Sequence, residues 1–381
     1  MLASAIRGRC ATPIRPAGSI LFTPPAQYHL YHRIQFSTTS QRSKPPSTTT
    51  SPTASSPVIF TSPVTPPSTT RPAPLDLPSK PISPADSKLK YYYALGKAYV
   101  SFYKSGLKHV YHNYRASLPL RRSLKLPPYL PTSPPPPAYS TKKPNTATLS
   151  LTHYSNTLTR AQFQLIRRSA YDVRRMLPFS LILLVCGEMT PFVVLVLGNA
   201  VTPLTCRVPR QVEKERIKRI EAKERAVRAA ELDNSKAAAG GKTAAAIANL
   251  DMLINARSVP NKFDINAVVN KARASGVLRA CAVFGLAKNH EFPVPFLPGF
   301  LRDEVVNQVY RPRLRRWMRY LEVDDWLIFT GGGVGEMSVE EVRTAVEERG
   351  GVDVSIGMGA EKAEKVERKW LAEWVDGRGF K

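Results

Sequence analysis

Acidic residues are almost absent from the N-terminal part of this 381-residue chain. Asp76 and Asp86 are the only acids in residues 1–171, which contain 22 Lys and Arg. Proline is equally uneven, because 25 of the 34 prolines precede residue 150. Proline lacks a backbone donor and interrupts helices and strands, so we expect little packed core in this region. The formal net charge of +26 therefore belongs mainly to the N-terminal part of the chain.

Cysteine is scarce, and the common catalytic motifs are missing. The four cysteines form no CxxC pair and have no zinc-finger spacing, which argues against a disulfide-rich secreted protein and against a zinc finger. Signatures of zinc proteases, serine hydrolases and EF-hands are also lacking. The glycine-rich stretch 331–335 does not have the spacing of a nucleotide-binding loop, and a helix–helix turn is the better interpretation. We therefore expect no enzymatic activity, no metal site and no cofactor.

The first 42 residues have the composition of a mitochondrial presequence. They contain five arginines, several Ser and Thr and no acid, and no apolar run long enough for a secretory signal. A basic tail without a targeting role is the alternative. Residues 43–87 are rich in Ser, Thr and Pro, and we expect a disordered linker there. Residues 119–157 are predicted to be a second, Pro-rich linker.

A basic and aromatic amphipathic helix is predicted over residues 88–118. The apolar positions that recur with the helical period are Leu95, Tyr99, Tyr103, Leu107, Val110 and Tyr114. The cations on the opposite face are Lys90, Lys97, Lys104, Lys108 and Arg115. Two interpretations remain open. The helix lies on a membrane surface, or it docks its aromatic stripe on the rest of the protein.

One apolar segment is long enough to cross a bilayer. Residues 177–201 meet the requirement of roughly 20 residues, and Glu188 is the only charged residue between Arg175 and Arg207. Both flanks are basic, so charge does not set the orientation. A buried helix of a soluble protein is the alternative. An acid at the middle of a membrane is costly unless it is protonated or paired, which makes Glu188 either a proton carrier or a helix-breaking feature.

The rest of the chain is predicted to be helical. Residues 208–232 are highly charged without a broad apolar face, which favours a solvated stalk that leaves the membrane. Ser338 and Glu341 have the spacing of a capping box. Helical periodicity marks blocks at 263–275, 277–286, 300–311, 313–328, 338–349 and 360–375. The predicted fold class is all-α, with a single transmembrane helix, a helical bundle over 258–381 and a disordered N-terminal region.

The block 313–328 separates an apolar face from a row of arginines. Leu314, Trp317, Met318 and Leu321 share one helical face, so Trp317 is predicted to belong to the core. The arginines fall off that face or just before it and are candidates for contact with phosphates, although plain solvation is the alternative. These candidates are Arg311, Arg313, Arg315, Arg316 and Arg319.

Several short motifs resemble, in their order, those of the Letm family of mitochondrial inner-membrane proteins. The resemblance covers about 220 residues from Leu158 onward, with one further motif near residue 90. The motifs are Lys90-Tyr91-Tyr92-Tyr93, Leu158-Thr159-Arg160, Ile166-Arg167-Arg168, Asp172, Leu177-Pro178-Phe179, Phe296-Leu297-Pro298, Leu314-Arg315-Arg316-Trp317-Met318, Asp324-Asp325, Leu327-Ile328, Met337-Ser338-Val339-Glu340-Glu341-Val342, Arg349-Gly350 and Trp370-Leu371-Ala372-Glu373-Trp374. Glu188 and Pro191 resemble the family's acid and proline at a spacing one residue shorter. The chain lacks the long coiled coil and EF-hand of larger members and is more similar to the smaller, ribosome-associated ones.

The resemblance implies that residues 158–381 form a Letm-type ribosome-binding domain, likened in the family to a 14-3-3 bundle. The protein would pass once through the mitochondrial inner membrane, with its C-terminal domain in the matrix. It would contact membrane lipids, bind the mitochondrial ribosome through rRNA or ribosomal proteins, and support membrane insertion of translation products. The alternative is a part in potassium or calcium exchange against protons, with Glu188 as carrier. One helix encloses no ion path, so this alternative requires a homo-oligomer.

Overall fold

The structure is a computed structural model that describes residues 58–78, 88–127, 132–134, 154–186, 202–239, 265–293, 296 and 298–380. Within these ranges the chain forms helices and turns and no strand, which confirms the all-α fold class. The predicted presequence, 1–42, lies outside the described residues. The helices are α1 (Lys88–Ser123), α2 (Arg160–Cys186), α3 (Pro209–Ala239), α4 (Ile265–Lys271), α5 (Ala274–Val283), α6 (Gly299–Val305), α7 (Arg311–Thr330), α8 (Val339–Glu348) and α9 (Ala360–Asp376).

The helical blocks predicted beyond residue 260 all contain helices, with ends that differ by a few residues. A π turn, Val306–Tyr310, joins α6 to α7, so the chain passes from one block to the next without a loop. Gly332 and Gly333 have φ of 108° and 83° and turn the chain between α7 and α8. Glycine adopts this backbone region without strain. The glycine-rich stretch is therefore a helix–helix turn, as predicted.

The main core forms around one face of α7. Leu314, Met318 and Leu321 are buried against apolar side chains of α5, α8 and α9, as their spacing predicts. Trp317 packs on the rim of this cluster and remains partly exposed. Its Nε1 donates a hydrogen bond to the carbonyl of Glu348 at 3.2 Å. The predicted apolar face is thus confirmed, with Trp317 at its edge rather than at its centre.

The helix predicted to be a solvated stalk, 208–232, is part of the bundle. α3 packs on α5, and Ala222, Ala226 and Ala230 recur every four residues on its buried face. Arg219 donates to the carbonyl of Glu347 at 2.6 Å. The stalk prediction is wrong because alanine adds little apolar surface. Three alanines among many charged residues do not produce a recognisable apolar face.

Part of the linker predicted to be disordered, 43–87, is packed into the core. Val64 is buried among the core side chains, and its carbonyl accepts a hydrogen bond from Arg160 Nη1 at 2.9 Å. The carbonyl of Pro63 accepts the backbone N–H of Ala161 at 2.9 Å. The prediction of disorder is wrong for residues 62–71. Their contacts come mostly from backbone carbonyls and hydroxyls, which leave no periodic pattern in a sequence.

α1 docks against α2 and is longer than the predicted 88–118. It continues through Pro119, which is exposed, to Ser123. The backbone of Gly106 lies close to Thr205 and Cys206. A Cβ at Gly106 would be 2.7 Å from Cys206 Sγ. The buried positions of α1 include Phe102, Gly106, Val110, Asn113 and Ser117. This face accords with docking on the protein, while the five predicted cations are exposed.

Buried ion pairs connect α2 with helices far along the chain. Asp324 on α7 accepts hydrogen bonds from Arg160 Nε at 2.9 Å and from Arg349 Nη2 at 2.8 Å. The Arg349 guanidinium also donates to Asp325. All four side chains are buried. Burial alone would raise the pKa of Asp324, but Arg160 and Arg349 hold it well below its usual range. The carboxylate is therefore ionised, and its charge is balanced inside the core.

A second buried pair explains why the predicted capping box does not form. Ser338 is the N-cap of α8, as predicted, but Glu341 turns inward and accepts two hydrogen bonds from Arg168 at 2.7 and 2.8 Å. In a capping box Glu341 would accept the backbone N–H of Ser338. Here that N–H donates to Thr65 Oγ1 at 3.1 Å. The Thr65 hydroxyl of the packed segment 62–71 thus accepts the N–H that the Glu341 carboxylate would accept in a capping box. The Glu341 carboxylate is then available to pair with Arg168.

No helix within the described ranges is both long and apolar enough to cross a membrane. α2 includes residues 177–186, the first part of the predicted membrane helix 177–201. Residues 187–201 lie outside the described residues.

Replacing Asp324 by Asn should strongly destabilise the protein. Arg160 and Arg349 would keep their charges in a buried place without a full carboxylate partner, which we expect to lower the free energy of unfolding by about 3–5 kcal/mol. Denaturant titration of the full-length protein measures this loss. The control is Glu340→Gln, because the Glu340 side chain is 67% exposed and pairs with Arg71 at 2.9 Å. It should cost at most about 1 kcal/mol, and equal losses in the two variants would contradict the importance of the buried pairs.

Candidate nucleic-acid interface

The first turns of α7 present arginines on the side opposite the core. Because Leu314 and Met318 anchor this part of α7 inside the bundle, the arginines at the other positions of these turns lie off the buried face. Arg313 and Arg316 are exposed, and Arg315 and Arg319 are half-buried. The structure therefore places four of the five predicted contact residues along one outward surface, which we call the α7 arginine surface.

Three arginines of the α7 arginine surface, at 313, 315 and 316, have no acid close to them in the sequence. No acid occurs in the sequence between Glu304 and Glu322. In the part of the chain that the structure describes, Arg313, Arg315 and Arg316 form no ion pair. Exposed arginines without acidic partners are suited to the phosphates of a nucleic acid, because binding then breaks no internal pair.

Arg311 belongs to a different environment from the other four arginines. Its guanidinium donates to the carbonyls of Val269, Asn270 and Ala272, with the last two at 2.9 and 3.0 Å. These carbonyls lie at the end of α4, where a helix lacks intrahelical partners for its last carbonyl groups. Arg311 therefore caps α4. Its Nε also donates to Asn307 Oδ1 at 3.0 Å, so most of its donors are used inside the protein, and its contact with phosphate stays a prediction.

A cleft of about 980 Å³ adjoins Arg311, but its charges are nearly balanced. Arg279 pairs there with Asp233 at 2.5 Å. The charged side chains that line the cleft are the cations Arg273, Arg279, Arg302 and Arg311 and the acids Asp233, Glu291 and Asp303. A polyanion gains little from such a mixed lining. The outward side of α7 is therefore the better candidate for phosphate binding.

α2 positions a buried carboxyl just before the predicted membrane segment. Asp172 is buried, and its Oδ1 accepts the backbone N–H of Leu204 at 2.6 Å. Burial raises the pKa of Asp172 to about 7, although the Leu204 amide and Arg207 act to lower it. The carboxyl is therefore partly protonated near neutral pH. The sequence assigned this chemistry to Glu188, which lies outside the described residues.

The sequence did not indicate which acids and arginines are buried. Asp324, Asp325 and Glu341 are among the most deeply buried side chains, and nothing in their local pattern distinguishes them from surface acids. The only signal was their place in the short motifs whose order resembles that of the Letm family. Among the described residues, no cluster of three His, Cys, Asp or Glu could hold a metal ion.

Comparisons with known proteins give no match. No family model matches the chain, no curated protein matches it, and no solved structure matches it. The resemblance to the Letm family and the likeness to a 14-3-3 bundle therefore stay predictions that rest on short motifs in a shared order.

Asp172→Asn should change how stability depends on pH. A carboxyl whose folded pKa is raised contributes stability that is complete below about pH 4 and is lost as the pH rises through about 7. The asparagine side chain of the variant would stay neutral and could still accept the Leu204 N–H. The free energy of unfolding of the variant minus that of the wild type should therefore increase between about pH 5 and about pH 8, by about 2.5 kcal/mol.

Denaturant titrations of both proteins at the two pH values measure this difference. Glu361→Gln, which removes an exposed carboxylate on α9, controls for the loss of one charge. A difference between wild type and Asp172→Asn that is the same at both pH values would show that Asp172 does not titrate in this range.

Proposed function

We propose that this protein is an anchor of the mitochondrial inner membrane whose helical bundle binds mitochondrial ribosomes in the matrix and supports membrane insertion of their products. The proposal is supported by the composition of residues 1–42, the apolar segment 177–201 and the order of the Letm-like motifs. These sequence features favour the compartment and the type of partner. The structure adds a surface suited to that partner.

The observation that carries the proposal is the α7 arginine surface. Arg313 and Arg316 are exposed on a helix whose opposite face is packed in the main core. Arg315, between them, has no acidic partner among the described residues. A rigid row of arginines loses less conformational freedom on binding than the same residues in a flexible tail would. Phosphates of rRNA match this row in charge and in the planar geometry of the guanidinium group.

Cation exchange against protons is a second candidate, and Asp172 is the observation that favours it. Its pKa of about 7 suits a group that binds and releases protons near neutral pH. The candidate requires several copies of the chain, since one helix encloses no ion path. Asp172→Asn should then abolish potassium-driven proton flux in reconstituted vesicles and leave ribosome capture unchanged. Flux that persists in the variant would remove Asp172 from this role.

Replacing Arg313 and Arg316 together by Gln should weaken ribosome capture and reduce its dependence on salt. Each lost phosphate contact lowers the slope of log affinity against log salt by roughly 0.7–0.9, so the double variant should lose about 1.4–1.8. The fold should be unaffected, since both side chains are exposed. Sedimentation of the detergent-solubilised full-length protein with ribosomes, repeated over a series of salt concentrations, measures the slope.

The matched control is the pair Arg225→Gln and Arg228→Gln on α3, which removes the same charge from another exposed surface. It should leave the slope unchanged. If the α7 variant binds like wild type and the α3 variant binds weakly, the contact surface lies on α3. Binding of the wild type that does not depend on salt would contradict a phosphate interface altogether.

A further inference from the structure

The two ends of the predicted membrane segment are bound to each other. Asp172 Oδ1 accepts the N–H of Leu204 at 2.6 Å, and one residue earlier the Tyr171 hydroxyl accepts a hydrogen bond from Arg207 Nη2 at 2.7 Å. Asp172 and Tyr171 precede the segment, whereas Leu204 and Arg207 follow it. A single crossing would place the two members of each pair on opposite sides of a hydrocarbon layer about 30 Å thick. The observed contacts are incompatible with that separation.

The same constraint applies to the buried core. Arg160, Arg167 and Arg168 lie before the apolar segment, and their carboxylate partners lie after it. The pairs are Arg160 with Asp324 at 2.9 Å, Arg167 with Glu348 at 2.9 Å and Arg168 with Glu341 at 2.7 Å. Since partners within hydrogen-bond distance occupy one side of a membrane, residues 160–172 and the bundle beyond residue 204 must be on the same side.

α2 extends out of this body as an apolar projection. From Asp172 to Cys186 the helix rises about 21 Å, and Leu177, Leu181 and Leu184 along it are 69%, 61% and 84% exposed. Exposed leucines at this spacing form a stripe that water solvates poorly. The base of the projection is cationic, because Arg174 is exposed there and the Arg175 guanidinium lies over the Tyr171 ring at 4.7 Å.

We propose that this apolar projection inserts into a phospholipid bilayer from one side, so that Asp172 and Leu204 stay on the side where the bundle lies. The stripe of leucines fits the acyl chains, and the cations at its base fit anionic headgroups. This arrangement replaces the single pass predicted from the sequence. The inference rests on the membrane anchoring in the proposed function but is independent of ribosome binding.

Labelling of cysteine pairs distinguishes one-sided insertion from a single pass. The test pair is Tyr111→Cys on α1 and Leu232→Cys on α3, both exposed, in a chain whose Cys10 and Cys186 are replaced by Ser. Burial raises the pKa of Cys206 to about 11 and that of Cys281 to about 12, so both native thiols stay protonated and unreactive. The full-length protein is reconstituted into phosphatidylcholine–cardiolipin vesicles, treated with a membrane-impermeant maleimide and weighed by intact mass spectrometry.

One-sided insertion predicts molecules that carry two labels or none, whatever their orientation in the vesicle. A single pass predicts molecules that carry one label, and a population of that kind would overturn the inference. The positive control is Leu232→Cys with Lys365→Cys, because both positions follow the segment and should give two labels or none in either topology. If only the test pair gives molecules with one label, one-sided insertion is overturned, but the proposal that the protein is anchored in the membrane is not.

Vesicle flotation tests the apolar stripe itself. Leu181→Asp with Leu184→Asp should reduce the vesicle-bound fraction at least about tenfold, because an acid in hydrocarbon is strongly disfavoured. Val100→Asp, a matched change of an exposed apolar residue on α1, should bind like wild type. Wild-type protein that does not float with vesicles would overturn this inference together with the anchoring part of the proposed function. Ribosome capture by the detergent-solubilised protein is measured separately, because it tests the ribosome-binding part of the proposed function and not the membrane insertion.

Discussion

The carboxylate of Asp324 lies between two arginines that are far apart in the sequence, and the packing of the helices depends on this contact. Arg160 approaches from α2 and Arg349 from the end of α8. Taking three charges out of water is costly, and such a group is tolerated only when its hydrogen bonds are nearly complete. Asp324 also accepts a hydrogen bond from Gln164 Nε2 at 2.6 Å. The arrangement ties α2 to α7, because moving α2 would leave the Arg160 donors buried without these acceptors.

Part of the excess of cations before Asp172 is used inside the same arrangement. The part before Asp172 is rich in cations, and several of them serve as internal partners for acids of the later helices. Arg160, Arg167 and Arg168 belong to the basic flank of the apolar segment when the sequence is considered alone. In the structure Arg167 donates to Glu348 at 2.9 Å, and its guanidinium lies over the Tyr320 ring at 3.5 Å. These cations hold the two parts of the chain together rather than facing a membrane.

The sequence predicted the helices better than the contacts between them. The period of Leu314, Met318 and Leu321 located the buried face of α7 because large apolar side chains dominate such patterns. Ala222, Ala226 and Ala230 were missed because their apolar surface is small. Val64 was missed because a segment of bends has no hydrophobic period. On the candidate interface, the position of Arg313 and Arg316 followed from helical geometry, whereas the capping role of Arg311 depends on α4, which reaches it only through the tertiary fold.

A double-mutant cycle on Arg168 and Glu341 tests most directly whether the parts of the chain before and after the apolar segment form one body. The measurement is the free energy of unfolding of the full-length protein for wild type, Arg168→Met, Glu341→Gln and the double variant. Each single change should be costly, because it leaves the other group buried without its partner. The double variant should lose less than the sum of the two single losses, with a coupling of about 1–3 kcal/mol. Additive losses would contradict the account, since they would mean that Arg168 and Glu341 do not meet in the folded protein.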